Sequence, residues 1–394
     1  MRIATKETQM PTDAPFILTP GPVVTAREVK EAMLVDYAPA DDFIRAATAT
    51  IREYLVGLAN GTGSYECVPL QGSGTYATEA AFHTLLPPDA KILIVTNGFY
   101  GLRLKELCDR MKKRNVLLQL PMLPPPSARD IEAALDAQPD ITHVALCHCE
   151  TATGVLNPIE EIAAATRARG VRVILDAIAS FAAFDLDAPA LDLEAIVLSS
   201  NKGLESVPGV GFVIAKRASL QAAEGNSASL SLDLHAQWAH MEKTGQWRYT
   251  PPTHVIAALA TAIRIHEAEG GVRGRHARFH RVWHRLVTAM RQRGFETLIS
   301  DDHASPIVTT FLEPADPHYT FPSFSMEMRK RGFIVFPGRL TASRTFRIGC
   351  MGRITDADVD RLVEAIDGAM QSLGVQDRAP DRSNSPAGSA AQHA

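Results

Sequence analysis

Two stretches decide the fold: V-R-V-I-L-D-A-I-A-S, Val171 to Ser180, and A-I-V-L-S-S-N-K-G, Ala195 to Gly203. Each opens with a short, uniformly aliphatic run and then breaks into polar residues. Such runs suit strands buried on both faces of a sheet. Similar runs stand at Tyr65–Leu70, Ile92–Val95, His143–Cys147 and Gly211–Ala215. Helical patterns lie between them, at Thr75–Leu86, Gly101–Lys112, Ala128–Ala137 and Pro158–Arg169. Strand–helix alternation predicts an α/β fold, a mostly parallel sheet between helices. Ligands of such sheets sit beyond the carboxyl ends of the strands, so the residues after each run carry the chemistry.

After Tyr65–Leu70 comes Q-G-S-G-T-Y, Gln71 to Tyr76, at the start of a helix. Backbone N–H groups of Ser73, Gly74 and Thr75, with two hydroxyls, make an anion cradle there. A tight turn with an N-cap is the plainer reading. Gly72, Gly74 and Ala77 also fit the dinucleotide pattern G-x-G-x-x-A, but the end of the next strand, Thr96-Asn97-Gly98, lacks the acid that pattern wants. N-G-F-Y-G, Asn97 to Gly101, offers Phe99 or Tyr100 as a stacking surface or as core. In Cys147-His148-Cys149, alternation puts the two thiols on one face and the imidazole on the other. No second cluster completes a zinc set. Asp176 follows one run and Lys202 the next, one helix-plus-strand unit later. A carboxylate there needs a cation, so the pair reads as a salt bridge or as a working acid and amine. Arg347, inside T-F-R-I-G, calls for a carboxylate or an anionic ligand. His276, His280 and His284 recur at helical spacing among Arg273, Arg275, Arg278, Arg281 and Arg285, which marks a solvated face and not a metal site.

From about Thr253 the pattern changes. A long amphipathic helical region to Arg291 precedes strands at Ile307–Phe311, Ile334–Phe336 and Thr345–Ile348 and helices near Phe324–Arg331 and Asp356–Gln371. The expected organisation is a flexible arm over 1–15, a large domain over 16–265, a smaller α+β domain over 266–375 and a disordered tail over 376–394. The 40 Lys and Arg against 44 Asp and Glu leave a formal charge of −4, which argues against nucleic acid as a partner. Nothing resembles a transmembrane span or a signal peptide, and 5 cysteines in 394 residues are no disulfide scaffold, so the expectation is a cytoplasmic protein.

The pieces D-A-I-A-S and S-S-N-K-G resemble the class V, fold type I, pyridoxal-phosphate-dependent aminotransferases. The likeness extends through L-T-P-G-P at 18–22, L-Q-G-S-G-T-Y at 70–76, N-G-F-Y-G at 97–101, E-T-A-T-G-V-L-N-P-I at 150–159, S-L-S-L-D-L at 229–234, Q-W-R-Y-T-P-P-T-H at 246–254 and F-R-I-G at 346–349. The resemblance implies pyridoxal 5'-phosphate as cofactor, linked to Lys202, with Asp176 on its ring nitrogen. It implies Tyr100 stacked on the ring, Thr153 near the ring hydroxyl, and Ser73, Gly74 and Thr75 on the phosphate. Thr250 would reach that phosphate from a second subunit, which implies a homodimer with the site at the interface. Arg347 would clamp the anionic end of the substrate.

Within the family, the likeness is to members that move the amino group of 2-aminoethylphosphonate to pyruvate, giving phosphonoacetaldehyde and alanine. Alternatives are a transaminase of the alanine or serine–glyoxylate type, a non-catalytic binder on the same fold, and a dehydrogenase. The family pattern has Cys after the lysine and Gln shortly beyond. This chain reads Lys202-Gly203-Leu204-Glu205-Ser206.

Overall fold

The aliphatic runs form the centre of a seven-stranded sheet. Across it lie Tyr65–Gly72, Gly209–Lys216, Leu193–Ser199, Arg172–Asp176, His143–Cys147, Lys91–Thr96 and Arg114–Gln119. Neighbours from Leu193–Ser199 to Arg114–Gln119 pair in parallel. Gly209–Lys216 runs antiparallel to both of its neighbours. The computed structural model describes residues 15–338 and 343–381. The expected arm over 1–14 and tail over 382–394 lie outside the described residues.

Helices cover both faces of the sheet. Asp42–Leu58 and Thr253–Ala268 pack over one core, with Ile51, Leu55, Val173, Leu175, Ile196 and Leu259 inside it. Gly74–Leu85 and Phe99–Arg110 pack over the other, on Ile94, Ala145, Ile174 and Val197. Alternate residues of one strand thus enter opposite cores, as period 2 requires. Arg114–Gln119 was not expected as a strand. It is the sheet edge, only half-buried, and its apolar run is just Val116 to Leu118.

The expected long helical region is two helices, Thr253–Ala268 and Gly271–Arg291. They part at Gly270 and Gly271, both with positive φ. Beyond them, Val308–Leu312, Thr345–Gly349 and Phe336–Pro337 form a three-stranded antiparallel sheet. Phe311 and Phe346 stack at 5.4 Å, and helix Asp356–Leu373 closes the core.

Both edges of the expected division shift. Phe16–Ile17 pairs in parallel with Phe333–Ile334, and Leu18 enters the core of the small sheet. The start of the expected large domain therefore packs with the C-terminal part, where Phe16–Ile17 and Phe333–Ile334 form a two-stranded sheet of their own. At the other end, Gln376 and Asp377 donate backbone N–H groups to Asp316, and Arg378 pairs with Asp367 at 2.6 Å. Residues 376–381 are therefore held by polar contacts that hydropathy does not register. Among the described residues, no helix is long and apolar enough to cross a membrane.

Candidate active site

Three carboxyl ends of the parallel strands and one helix start meet around a cavity of about 180 Å³. Its lining includes Ser73, Gly74, Thr75, Tyr100, Asp176 and Lys202. Helix Gly74–Leu85 begins there, and the side chain of its N-cap residue Ser73 makes no capping bond. The first-turn N–H groups, which no helical carbonyl serves, face the cavity with the Thr75 side chain. Gly74 is required by close approach: a Cβ would stand 2.6 Å from Ile178 Cδ1.

Asp176 ends its strand. Its Oδ1 accepts from the Ile178 N–H at 2.9 Å, and the Cys147 thiol lies 3.7 Å from Oδ2. Burial pushes its carboxyl up to about 6, against the opposing Ile178 N–H. Lys202 lies in the turn after Leu193–Ser199. Burial brings its amine down to about 8, against the pull of Asp176. The two do not form an ion pair. Lys202 Nζ instead donates to the Pro20 carbonyl at 2.5 Å.

Tyr100 stands in the first turn of helix Phe99–Arg110, fixed by Glu150. Glu150 Oε2 accepts from the N–H groups of Tyr100 and Gly101 at 2.9 and 3.4 Å, and Oε1 accepts from Ala152 at 3.0 Å. Burial raises the Glu150 carboxyl to about 7, partly offset by those N–H groups. Cys147 and Cys149 line the cavity, while His148 faces a separate cleft and meets Ser180 Oγ at 2.9 Å. Burial lowers His148 to about 4.

Arg347 is 1% exposed. Its Nε donates to the Pro337 carbonyl at 3.0 Å and Nη1 to the Thr151 carbonyl at 2.8 Å. Thr151 itself lines the cavity. Thr153 is not brought there. Its hydroxyl donates to the Glu150 carbonyl at 3.2 Å, inside the turn of which it is part, and it borders a different cleft. Thr250 is exposed and outside its own chain's cavity. Of the arginines expected on a solvated face, Arg275 and Arg278 are inside, paired with Glu205 and Glu269.

Sequence reasoning gave no role to the lining residues Arg103, Ser199 and Asn201, which stand at the cavity with Cys149 and Thr151. Ser199 Oγ is buried without a hydrogen-bond partner, and Ser199 lines the cavity. Cys149, Thr151, Ser199 and Asn201 are neighbours of predicted strand ends, so the rule about carboxyl ends held the signal. Arg103 carried none, because helical spacing alone did not say which face of its helix met the cavity.

The mostly parallel sheet brings Lys202 and Asp176 from adjacent strand ends to one cavity, which the start of helix Gly74–Leu85 also borders. The chain belongs to the class V aminotransferases: the family model described as Aminotransferase class-V matches residues 40–362. Among its relatives is the 2-aminoethylphosphonate–pyruvate transaminase of Rhizobium meliloti, 45% identical over 93% of this chain and 96% of that one. That of Pseudomonas aeruginosa strain PAO1 is 44% identical over 92% and 98%. Among solved structures, alanine–glyoxylate aminotransferase of Nostoc sp. superposes with a TM-score of 0.85 at 21% identity, over 92% of this chain and 97% of that one. Pyridoxamine–pyruvate aminotransferase of Mesorhizobium loti gives 0.83 at 23%, over 92% and 94%.

Pyridoxal phosphate is the cofactor of this family. The cavity fits it, with an uncapped helix start at one end, the buried Ser199 hydroxyl without a partner, and a depressed amine beside a buried carboxyl.

Proposed function

We propose that the protein transfers the amino group of 2-aminoethylphosphonate to pyruvate, with pyridoxal phosphate held at Lys202. The carrying observation is that Lys202 and Asp176 face one cavity from neighbouring strand ends without neutralising each other. The named relatives support the choice of substrates.

When bound, the cofactor supplies an aldehyde for the amino group and a conjugated ring that takes up charge when the donor's C–H bond breaks. The chain does the rest. Ser73, Gly74 and Thr75 hold the phosphate at the helix start. Asp176 keeps a negative charge facing the ring nitrogen, and Tyr100 flanks the ring. Lys202, its amine brought down to about 8 by burial, would take up at Nζ the proton released when the donor's C–H bond breaks. Arg347, its guanidinium plane fixed by two carbonyls, binds the phosphonate of one substrate and the carboxylate of the other. Thr250 serves the site of a second subunit, so the working form is a homodimer. Exposed Tyr76, Leu230 and Tyr249 give such a dimer apolar surface to bury. Five free, buried thiols suit the cytoplasm.

The test compares amino donors on the purified enzyme. 2-Aminoethylphosphonate with pyruvate should exceed alanine or serine with glyoxylate by about two orders of magnitude in kcat/KM. A preference for serine or alanine with glyoxylate overturns the substrate assignment.

A further inference from the structure

Arg103 stands one turn into helix Phe99–Arg110 and lines the cavity. Its guanidinium lies 4.9 Å from the Tyr100 ring centroid and 5.4 Å from that of Phe99. Nη1 donates to Thr75 Oγ1 at 3.4 Å, at the first turn of the uncapped helix. Among the described residues no carboxylate pairs with it. The half-buried Arg278 pairs with two glutamates, and the buried Arg347 with two carbonyls. Arg103 has aromatic faces and one hydroxyl.

Charge balance makes that setting informative. A phosphate monoester brings between one and two negative charges at neutral pH. A helix start answers with about half a positive charge, and hydroxyls with none. Of the residues lining the cavity only Lys202 and Arg103 are cationic. Lys202 is bonded to the Pro20 carbonyl rather than to Thr75. Arg103 alone brings a full charge to the Thr75 end.

We propose that Arg103 binds the phosphate group of the cofactor, completing the cradle of Ser73, Gly74 and Thr75. The two rings fix the guanidinium plane, and its remaining donors face the anion. This rests on the reading of the cavity as a pyridoxal phosphate site, but not on the identity of the amino donor.

The test measures binding of pyridoxal phosphate and of pyridoxal, which lacks the phosphate, to wild type, Arg103→Gln and Arg103→Lys. Absorbance and dialysis give both affinities without turnover. Arg103→Gln should weaken pyridoxal phosphate by at least about tenfold, the scale of a charge-assisted hydrogen bond, and leave pyridoxal unchanged. Arg103→Lys should recover part of the loss. An equal loss of both ligands would mean that Arg103 only props Tyr100, and overturns the proposal. So does unchanged cofactor affinity with a raised KM for 2-aminoethylphosphonate, which would make Arg103 a substrate ligand. If serine proves the true donor, the binding result still decides. If wild type binds neither ligand, the cofactor assignment itself fails and this proposal with it.

Discussion

Lys202 and Pro20, 182 residues apart in sequence, are joined by a 2.5 Å hydrogen bond from the lysine amine to the proline carbonyl. The bond ties the cofactor side of the molecule to the small sheet. Leu18 N–H donates to the Ile334 carbonyl, and Gly349 N–H to the Leu18 carbonyl. The lysine therefore sits where the N-terminal strand crosses between the two cores.

That crossing needs Gly21. Its φ is +119°, which side-chain-bearing residues rarely adopt, and a Cβ there would overlap the Lys202 side chain. Gly21→Ala should cost about 1–3 kcal/mol in strain and displace the amine. We expect kcat to fall at least about tenfold, as misplacement of a reacting group does, with a circular dichroism spectrum like wild type. Undiminished kcat would show that the lysine tolerates another path for the chain.

Lys202 also burdens the cofactor-free fold. Burial lowers its amine from 10.5 to about 8, so below pH 8 the folded chain carries a proton that it holds less well than the unfolded chain does. The cost is full below pH 8 and fades as pH rises toward 10.5. Cofactor-free Lys202→Met should thus be more stable than cofactor-free wild type at pH 7, by up to about 3 kcal/mol, with the gap closing near pH 10. Urea unfolding at the two pH values measures it. Equal stabilities at pH 7 would refute the buried-charge account.

Asp176 titrates in the opposite sense. Burial raises its folded value from 3.8 to about 6. Above pH 6 it is ionised and ready for a cationic ring nitrogen; as pH falls through 6 that readiness is lost. Cofactor affinity of wild type should therefore fall roughly tenfold per pH unit below 6. Asp176→Asn should bind weakly throughout and lack that limb, with kcat lower by about two orders of magnitude or more. Identical pH dependence in the two proteins would assign the limb to another group.

These residues show how far sequence carried. Asp176 and Lys202 were legible because parallel strands are buried on both faces, so a charge just past the run stands out. Ser73 to Thr75 were legible only as one of two readings, an anion cradle or a tight turn with an N-cap, and they stand in the cavity lining. The turn after Glu150 puts Thr151 at the cavity and Thr153 at another cleft, a difference that two hydroxyls at one strand end do not reveal. The edge strand Arg114–Gln119 lacked a signal because half its surface is open. Arg275 and Arg278 looked solvated because their partners, Glu205 and Glu269, come from distant turns that local periodicity does not connect.

Glu205 makes the charge beneath the lysine turn. Its carboxylate accepts from Arg278 at 2.9 Å and from the Gly352 N–H at 2.9 Å, and its own N–H donates to the Lys202 carbonyl at 2.9 Å. Glu269 also pairs with Arg278, so the loss would be partial. Glu205→Ala should cost about 3 kcal/mol, the low end for breaking a buried ion pair. Glu205→Gln, which keeps the acceptor, should cost less. Denaturant midpoints compare the three, and a Gln variant as unstable as the Ala variant would show that charge, not hydrogen bonding, matters here.

Arg347 tests the substrate reading most directly. Pro337 and Thr151 each accept one donor from its guanidinium, so the plane is set before any substrate arrives. Lysine has the charge but not the fork, and it cannot hold both carbonyls while meeting a tetrahedral phosphonate and a planar carboxylate at one point. Arg347→Lys should therefore lower kcat/KM by about two orders of magnitude for both 2-aminoethylphosphonate and pyruvate. Cofactor retention should stay close to wild type, since Arg347 is not among the residues that line the cavity at the helix start. Separate half-reaction kinetics decide the point: a loss confined to pyruvate would leave the phosphonate to some other cation and divide the role assigned to Arg347.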